Sequence, residues 1–172
     1  MVLPRRHAIP GLAGIAIAMA PRLAASASFG VTPDGSILTV SGRISLTHDN
    51  GTVCFDRAML ETLGISGFTT TTPWYEGPVT FEGVRMDALM RAVGADGDAV
   101  IATALNGYET RIPVSDFARF DVLLALKRDG EYMPLHDKGP LFIVYPYDLA
   151  PELRSQKYYS RSAWRLSRLV VV

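Results

Sequence analysis

The chain has 172 residues, with 17 Lys+Arg against 17 Asp+Glu, 48% hydrophobic and 20% charged. That make-up suits one globular domain with a core. It excludes a disordered chain, a disulfide scaffold (the single cysteine is Cys54) and a strongly basic nucleic-acid binder. Without residues 1–27, which hold Arg5, Arg6 and Arg22 and no acid, 14 basic residues face 17 acidic ones, a field too weak to steer polyanions.

The N-terminus reads as an address. Arg5-Arg6 precede an apolar run from Ala8 to Ala20, and Ala25-Ser26-Ala27 offers a small-x-small cleavage site before Ser28. The run is short for a bilayer span, and Pro10, Gly11 and Gly14 interrupt it. The expectation is a signal peptide over residues 1–27, of either the twin-arginine or the ordinary secretory type. One domain, residues 28–172, then follows outside the cytoplasm, in the periplasm, with no transmembrane segment.

Along that domain, Ile37 to Val40 reads as a strand opened by Pro33-Asp34-Gly35. Gly42 permits a bend, and Ile44 and Leu46 alternate as in a half-buried strand. His48-Asp49-Asn50-Gly51 reads as a turn. Asp56 can cap a helix carrying Met59, Leu60 and Leu63, stopped by Gly64. Phe68 to Thr72 is β-branched and reads as a strand ended by Pro73; Val79 and Phe81 read as a short strand. Val84 to Val93 has the spacing of an amphipathic helix. Strand-like runs follow at Val100–Leu105, Tyr108–Ile112, Val122–Leu126, Leu141–Tyr145 and Leu166–Val172. Strands outnumber a few short helices without strict alternation, so the fold expected is α+β with mixed, mostly β-sheet structure.

Chemistry-bearing residues are sparse. There is no phosphate loop and no nucleophile elbow, and His7, His48 and His136 lack metal-ligand spacing. Cys54, between Val53 and Phe55, reads as a small buried hydrophobe rather than a nucleophile or metal ligand. Trp74-Tyr75, on a turn fixed by Pro73, could stack on a flat heterocycle or lid the core. Asn106-Gly107-Tyr108 joins two strand runs; it is a plain turn, or a donor–acceptor edge for a nitrogen heterocycle. Lys138, before Gly139-Pro140, is a candidate anion anchor or a solvated lysine. The tail interleaves Arg154, Lys157, Tyr158, Tyr159, Arg161, Trp164 and Arg165. Such a string could hold a polar ring by charge and stacking, or form a charged surface pinned by buried aromatics.

Phe81-Glu82-Gly83-Val84-Arg85-Met86, Ala104-Leu105-Asn106-Gly107-Tyr108, Val122-Leu123-Leu124-Ala125, Lys138-Gly139-Pro140-Leu141, Tyr145-Pro146 and Arg161-Ser162-Ala163-Trp164-Arg165-Leu166 follow in order. This succession resembles the molybdopterin-binding oxidoreductase domain, the sulfite-oxidase fold, from about Ile37 to Val172, and in particular its short, single-domain exported members. The resemblance implies an α+β domain, largely β-sheet, around a pterin-shaped pocket. In catalytic members a cysteine thiolate ligates molybdenum about ten residues before the aromatic-x-Gly step. Here that position falls at Thr71, among threonines, and a hydroxyl is a poor substitute for thiolate.

The resemblance therefore implies a bound pterin, free pterin or molybdopterin, with molybdenum argued against. Some short members act as exported pterin-binding proteins that partner membrane signalling receptors. On that reading Trp74 or Tyr75 stacks on the bicycle. Asn106, Tyr108, Lys138 and the backbone near Gly139 meet its polar edge, and Arg154, Tyr158 and Arg161 close the pocket. The alternative is a small periplasmic molybdopterin-dependent oxidoreductase acting on an oxyanion or sulfoxide, with Cys54 brought to the metal. A third reading is a degenerate domain used only as a protein-interaction module.

Overall fold

The computed structural model describes residues 35–46 and 51–172. The expected signal segment and the turn at His48-Asp49-Asn50 lie outside the described residues. Among the described residues, ten strands, forming two sheets, and four short α-helices make up the α+β class expected from the sequence.

In the first sheet the order is β2 (Thr52–Phe55), β1 (Leu38–Gly42), β10 (Leu166–Val171), β5 (Ala99–Ala104) and β6 (Glu109–Pro113). Only β1 and β10 run parallel; the other pairs are antiparallel. Gly42, at φ 92°, ends β1 where a Cβ would meet the Val171 carbonyl oxygen at 2.2 Å. Only glycine fits that approach.

The second sheet runs β3 (Ile65–Thr72), β4 (Tyr75–Arg85), β7 (Leu123–Arg128) and β8 (Glu131–Tyr132), with β9 (Phe142–Val144) sharing the far edge of β7. Leu123 to Leu126 are all buried, so β7 is covered on both faces, and its continuous apolar run reflects that. The core joins both sheets through residues such as Val40, Phe55, Phe81, Leu124, Phe142 and Leu169.

The helices α1 (Arg57–Glu61), α2 (Met86–Ala92), α3 (Val114–Arg119) and α4 (Gln156–Tyr159) are single turns or two. Asp56 caps α1 as expected, its Oδ1 accepting from the Met59 N–H at 2.7 Å. Helix α2 buries Met86, Leu89 and Met90.

Four local expectations change. Residues 44–46 form no strand: Ser45 and Leu46 donate to the Val93 and Gly94 carbonyls at the end of α2, and Ile44 makes one bridge to Ala95. Those carbonyls need donors, and this segment supplies them. The short strand at Val79–Phe81 is the middle of an 11-residue strand. That strand also claims Val84 and Arg85, which pair with Leu124 and Leu123, so α2 starts at Met86. Cys54 is half-buried, because β2 turns Val53 and Phe55 inward and Cys54 to the opposite face.

Candidate functional site

The turn Pro73-Trp74 joins β3 to β4 and projects an indole into a group of aromatic rings. Trp74 meets Phe142, Tyr147, Tyr159 and Trp164 edge-on, with centroids 5.4 to 6.0 Å apart. Such contacts fix ring orientation as well as burying area. In front of the group lies a cavity of about 320 Å³, lined by Pro73, Trp74, Tyr108, Gln156, Tyr159, Ser160, Ser162 and Trp164. Its size is at the lower end for a small-molecule site.

The cavity wall has two sources. Tyr108 leaves the β5–β6 turn and donates its hydroxyl to the Ser160 carbonyl at 2.5 Å. From the other side, α4 supplies Gln156, Tyr159 and Ser160. These stand three and four residues apart and so share one helix face. The hydroxyls are largely engaged: Ser160 donates to the Lys157 carbonyl, and Ser162 pairs with Tyr147 and the Tyr158 carbonyl. The Gln156 carboxamide makes no hydrogen bond among the described residues, and it offers a donor and an acceptor. Aromatic walls with a carboxamide fit a flat nitrogenous ring.

Near the end of β3, two residues before Pro73, the position where the resemblance implies a metal-ligating thiolate is held by a polar clamp. The Thr71 hydroxyl and N–H both donate to Asp148, each at 2.6 Å, and Arg154 donates to Asp148 at 2.5 Å. The Asp148 N–H donates to the hydroxyl of buried Thr70 at 3.1 Å. Donation from the Thr71 hydroxyl, then from its N–H, and then the Arg154 charge hold the Asp148 carboxyl down at about 2. No group of three or more His, Cys, Asp or Glu able to hold a metal occurs among the described residues. Cys54 lies in the other sheet and lines none of the cavities described here. These residues do not fit a molybdenum centre.

A carboxyl with a depressed pKa adds stability above its unfolded value near 3.9 and loses it as pH falls towards 2. Asp148 is about a third exposed, so screening reduces the effect to roughly 1 kcal/mol. In urea titrations Asp148→Asn should therefore be less stable than the parent by about that amount at pH 6, with the gap closing near pH 2. A gap unchanged across that range would remove the clamp from the account.

Trp74 and Tyr108 thus share one cavity. Asn106 does not join them: its Oδ1 accepts from the Tyr108 N–H at 3.2 Å, and it faces a separate groove of about 460 Å³ with Leu105, Leu135, His136 and Arg165. Tyr75 points elsewhere. Its ring lies between the Arg128 and Lys138 cations, 4.6 and 4.2 Å from the centroid, and its hydroxyl donates to Asp137. Lys138 is therefore spent on that ring. Partial burial pushes the Asp137 carboxyl up, but bonds from Tyr75 and Arg128 outweigh it and hold the group below the ordinary range.

Gly139 is packed against the Met133 carbonyl, and its N–H donates to the Pro134 carbonyl, so its backbone faces inward. Tyr158 is 4% exposed, against Phe120 and Tyr145. Arg161 is turned to Asp116 at 2.6 Å, and Arg154 to Asp148. Arg154, Tyr158 and Arg161, expected to close the pocket, are not among the residues that line the cavity in front of Trp74. Gln156, Ser160 and Asp148 are additions that no sequence motif marked.

The family model of the oxidoreductase molybdopterin binding domain matches residues 47–158. No curated protein matches the chain.

Proposed function

The chain belongs to the molybdopterin-binding oxidoreductase domain family, and from that premise we propose that it is an exported protein that holds a pterin without molybdenum and catalyses no redox step. The observation that carries this reading is Thr71, where the family resemblance places a thiolate. Its hydroxyl and N–H are committed to Asp148, which Arg154 also holds. A carboxylate beside that position disfavours an oxyanionic metal centre by like charge.

The ligand would enter the cavity in front of Trp74. Trp74, Tyr159 and Trp164 give it aromatic walls, and the Gln156 carboxamide meets the polar edge of its pyrimidine ring. Tyr108, tied to Ser160, holds the two sides of the cavity at fixed spacing. A pterin bound alone supplies a flat, hydrogen-bonding and fluorescent bicycle. A protein that reports such a ligand needs a reader, and a membrane signalling receptor outside the cytoplasm is the partner we assign. No described helix is long and apolar enough to cross a membrane.

The test is release of the ligand by denaturing the purified protein and scanning for pterin fluorescence. One pterin per chain is expected. Trp74→Ala should lower affinity by about a hundredfold, in line with the loss of an aromatic anchor at a binding centre. An unchanged pterin content in Trp74→Ala that keeps its native fold would reject this cavity as the site.

A further inference from the structure

Four arginines among the described residues are half-buried: Arg85, Arg128, Arg161 and Arg165. Three of them hold carboxylates. Arg85 holds Asp87 and Asp121, Arg128 holds Asp137, and Arg161 holds Asp116. Arg165 has no acidic partner among the described residues. Its Nε donates to the Leu135 carbonyl at 2.8 Å, and its two terminal nitrogens bond to none of those residues. Drawing a guanidinium out of water without an anion costs free energy, which a bound anion recovers.

The backbone fixes that position. Arg165 lies at φ 54° and Lys138 at φ 63°, in the left-handed region that residues other than glycine rarely enter. The two are tied together. The Arg165 N–H donates to the Lys138 carbonyl at 3.0 Å, and the Arg165 carbonyl accepts from the Leu105 N–H at 2.8 Å. Strain of this kind persists only where the surrounding structure imposes it, and it gathers at ligand sites.

Arg165 fronts the groove of about 460 Å³ that it shares with Asn106, His136, Leu105 and Leu135, and no acidic side chain lines it. The Asn106 Oδ1 is taken by the Tyr108 N–H, which leaves its amide donors for a ligand. The groove adjoins a second one of about 400 Å³, because Leu105 and Leu135 line both. The second adds Ile37 and Pro140 and has no charged side chain in its lining. Leu105 is 57% and Leu135 55% exposed, so apolar surface stands in water between a cation and an uncharged trough.

We propose that the two grooves form one binding site for an amphiphilic carboxylate. The carboxylate sits on Arg165, and its alkyl chain runs past Leu105 and Leu135 towards Ile37 and Pro140. With Nε held by Leu135, the two terminal nitrogens of the guanidinium can take both carboxylate oxygens in a bidentate pair. One guanidinium balances one negative charge, which favours a carboxylate over a phosphate monoester with nearly two. Each methylene that leaves water for the trough tightens binding by about fourfold. This site shares no lining residue with the cavity in front of Trp74, and the inference does not depend on the ligand assigned there.

Isothermal titration of the purified protein with decanoate, below its micelle concentration, tests the proposal. One decanoate per chain is expected, with a Kd below about 100 μM. Decanol keeps the chain and lacks the charge, and should bind at least about tenfold more weakly. Hexanoate keeps the charge on a shorter chain, and should also lose at least about tenfold. Decyl phosphate should bind more weakly than decanoate. Arg165→Gln removes the charge and should weaken decanoate by at least about tenfold. Leu135→Glu changes an exposed side chain, leaves the core alone and sets a rival carboxylate beside the guanidinium, so it should weaken decanoate as well. Circular dichroism checks the fold of each variant, and Leu135→Glu decides the matter if Arg165→Gln does not fold. Absence of saturable decanoate binding would overturn the proposal. So would decanol or hexanoate binding as tightly as decanoate, decyl phosphate binding more tightly, or a folded variant of either kind that binds decanoate as the parent does.

Discussion

Phe142→Ala is expected to cost about 4 kcal/mol of stability, as large aromatic-to-alanine changes in packed cores do. Phe142 is fully buried on β9 and touches Trp74, Phe81 and Trp164 at centroid distances of 5.5, 5.8 and 6.2 Å. It also bridges to Trp164 across the backbone. Removing the ring leaves a void behind the indole that forms the cavity wall. The stability loss should therefore come with weaker ligand retention in whatever fraction stays folded. Urea unfolding followed by tryptophan fluorescence reads the first effect. A cost under about 1 kcal/mol would mean that neighbouring rings collapse into the void, and the aromatic group would then not be the rigid backing described here.

Arg161→Met should cost about 3 kcal/mol, for a different reason. Arg161 donates to Asp116 at 2.6 Å, and the Tyr145 hydroxyl donates to the same carboxylate at 2.9 Å. Asp116 is 7% exposed. Burial first, and then the charge of Asp116, push the Tyr145 hydroxyl far above its ordinary range, so it stays a donor at any working pH. Without the guanidinium, a buried carboxylate keeps one neutral donor, and removing one member of a buried ion pair is strongly destabilising. The melting temperature should fall by about 10 °C. Replacing both partners together, Asp116→Leu with Arg161→Met, should recover much of the loss, because the uncompensated charge is gone. A single variant that melts with the parent would show that Arg161 does not serve the core.

The sequence made much of this fold readable where a local rule decides. Asp56 caps α1 because the side chain reaches the third N–H on, whatever surrounds it. β7 was readable from four consecutive apolar residues, the mark of a strand covered on both sides. Residues 44–46 misled because the alternation of Ile44 and Leu46 suits a strand, while the partners they find are carbonyls at the end of a helix some fifty residues away. The limits of β4 were hidden because Gly83 lies at a register shift against β7, which interrupts the alternation.

The site divides in the same way. Trp74 and Tyr108 were legible as aromatics on turns, and both line the cavity. The tail string was legible as a mixture of cations and rings but not as a geometry. Helical rotation decides it: on α4, Gln156, Tyr159 and Ser160 front the cavity, while Tyr158, one step round, enters the core. Arg161 just beyond follows Tyr158 inward to Asp116. Asp148 carried no signal, because its partner Thr71 stands 77 residues away.

The most direct test of the central claim is the molybdenum content of protein produced in a molybdenum-replete host that makes the cofactor, measured together with the pterin it releases. The account expects about one pterin per chain and essentially no molybdenum. Molybdenum at one atom per chain, retained through dialysis, would contradict it.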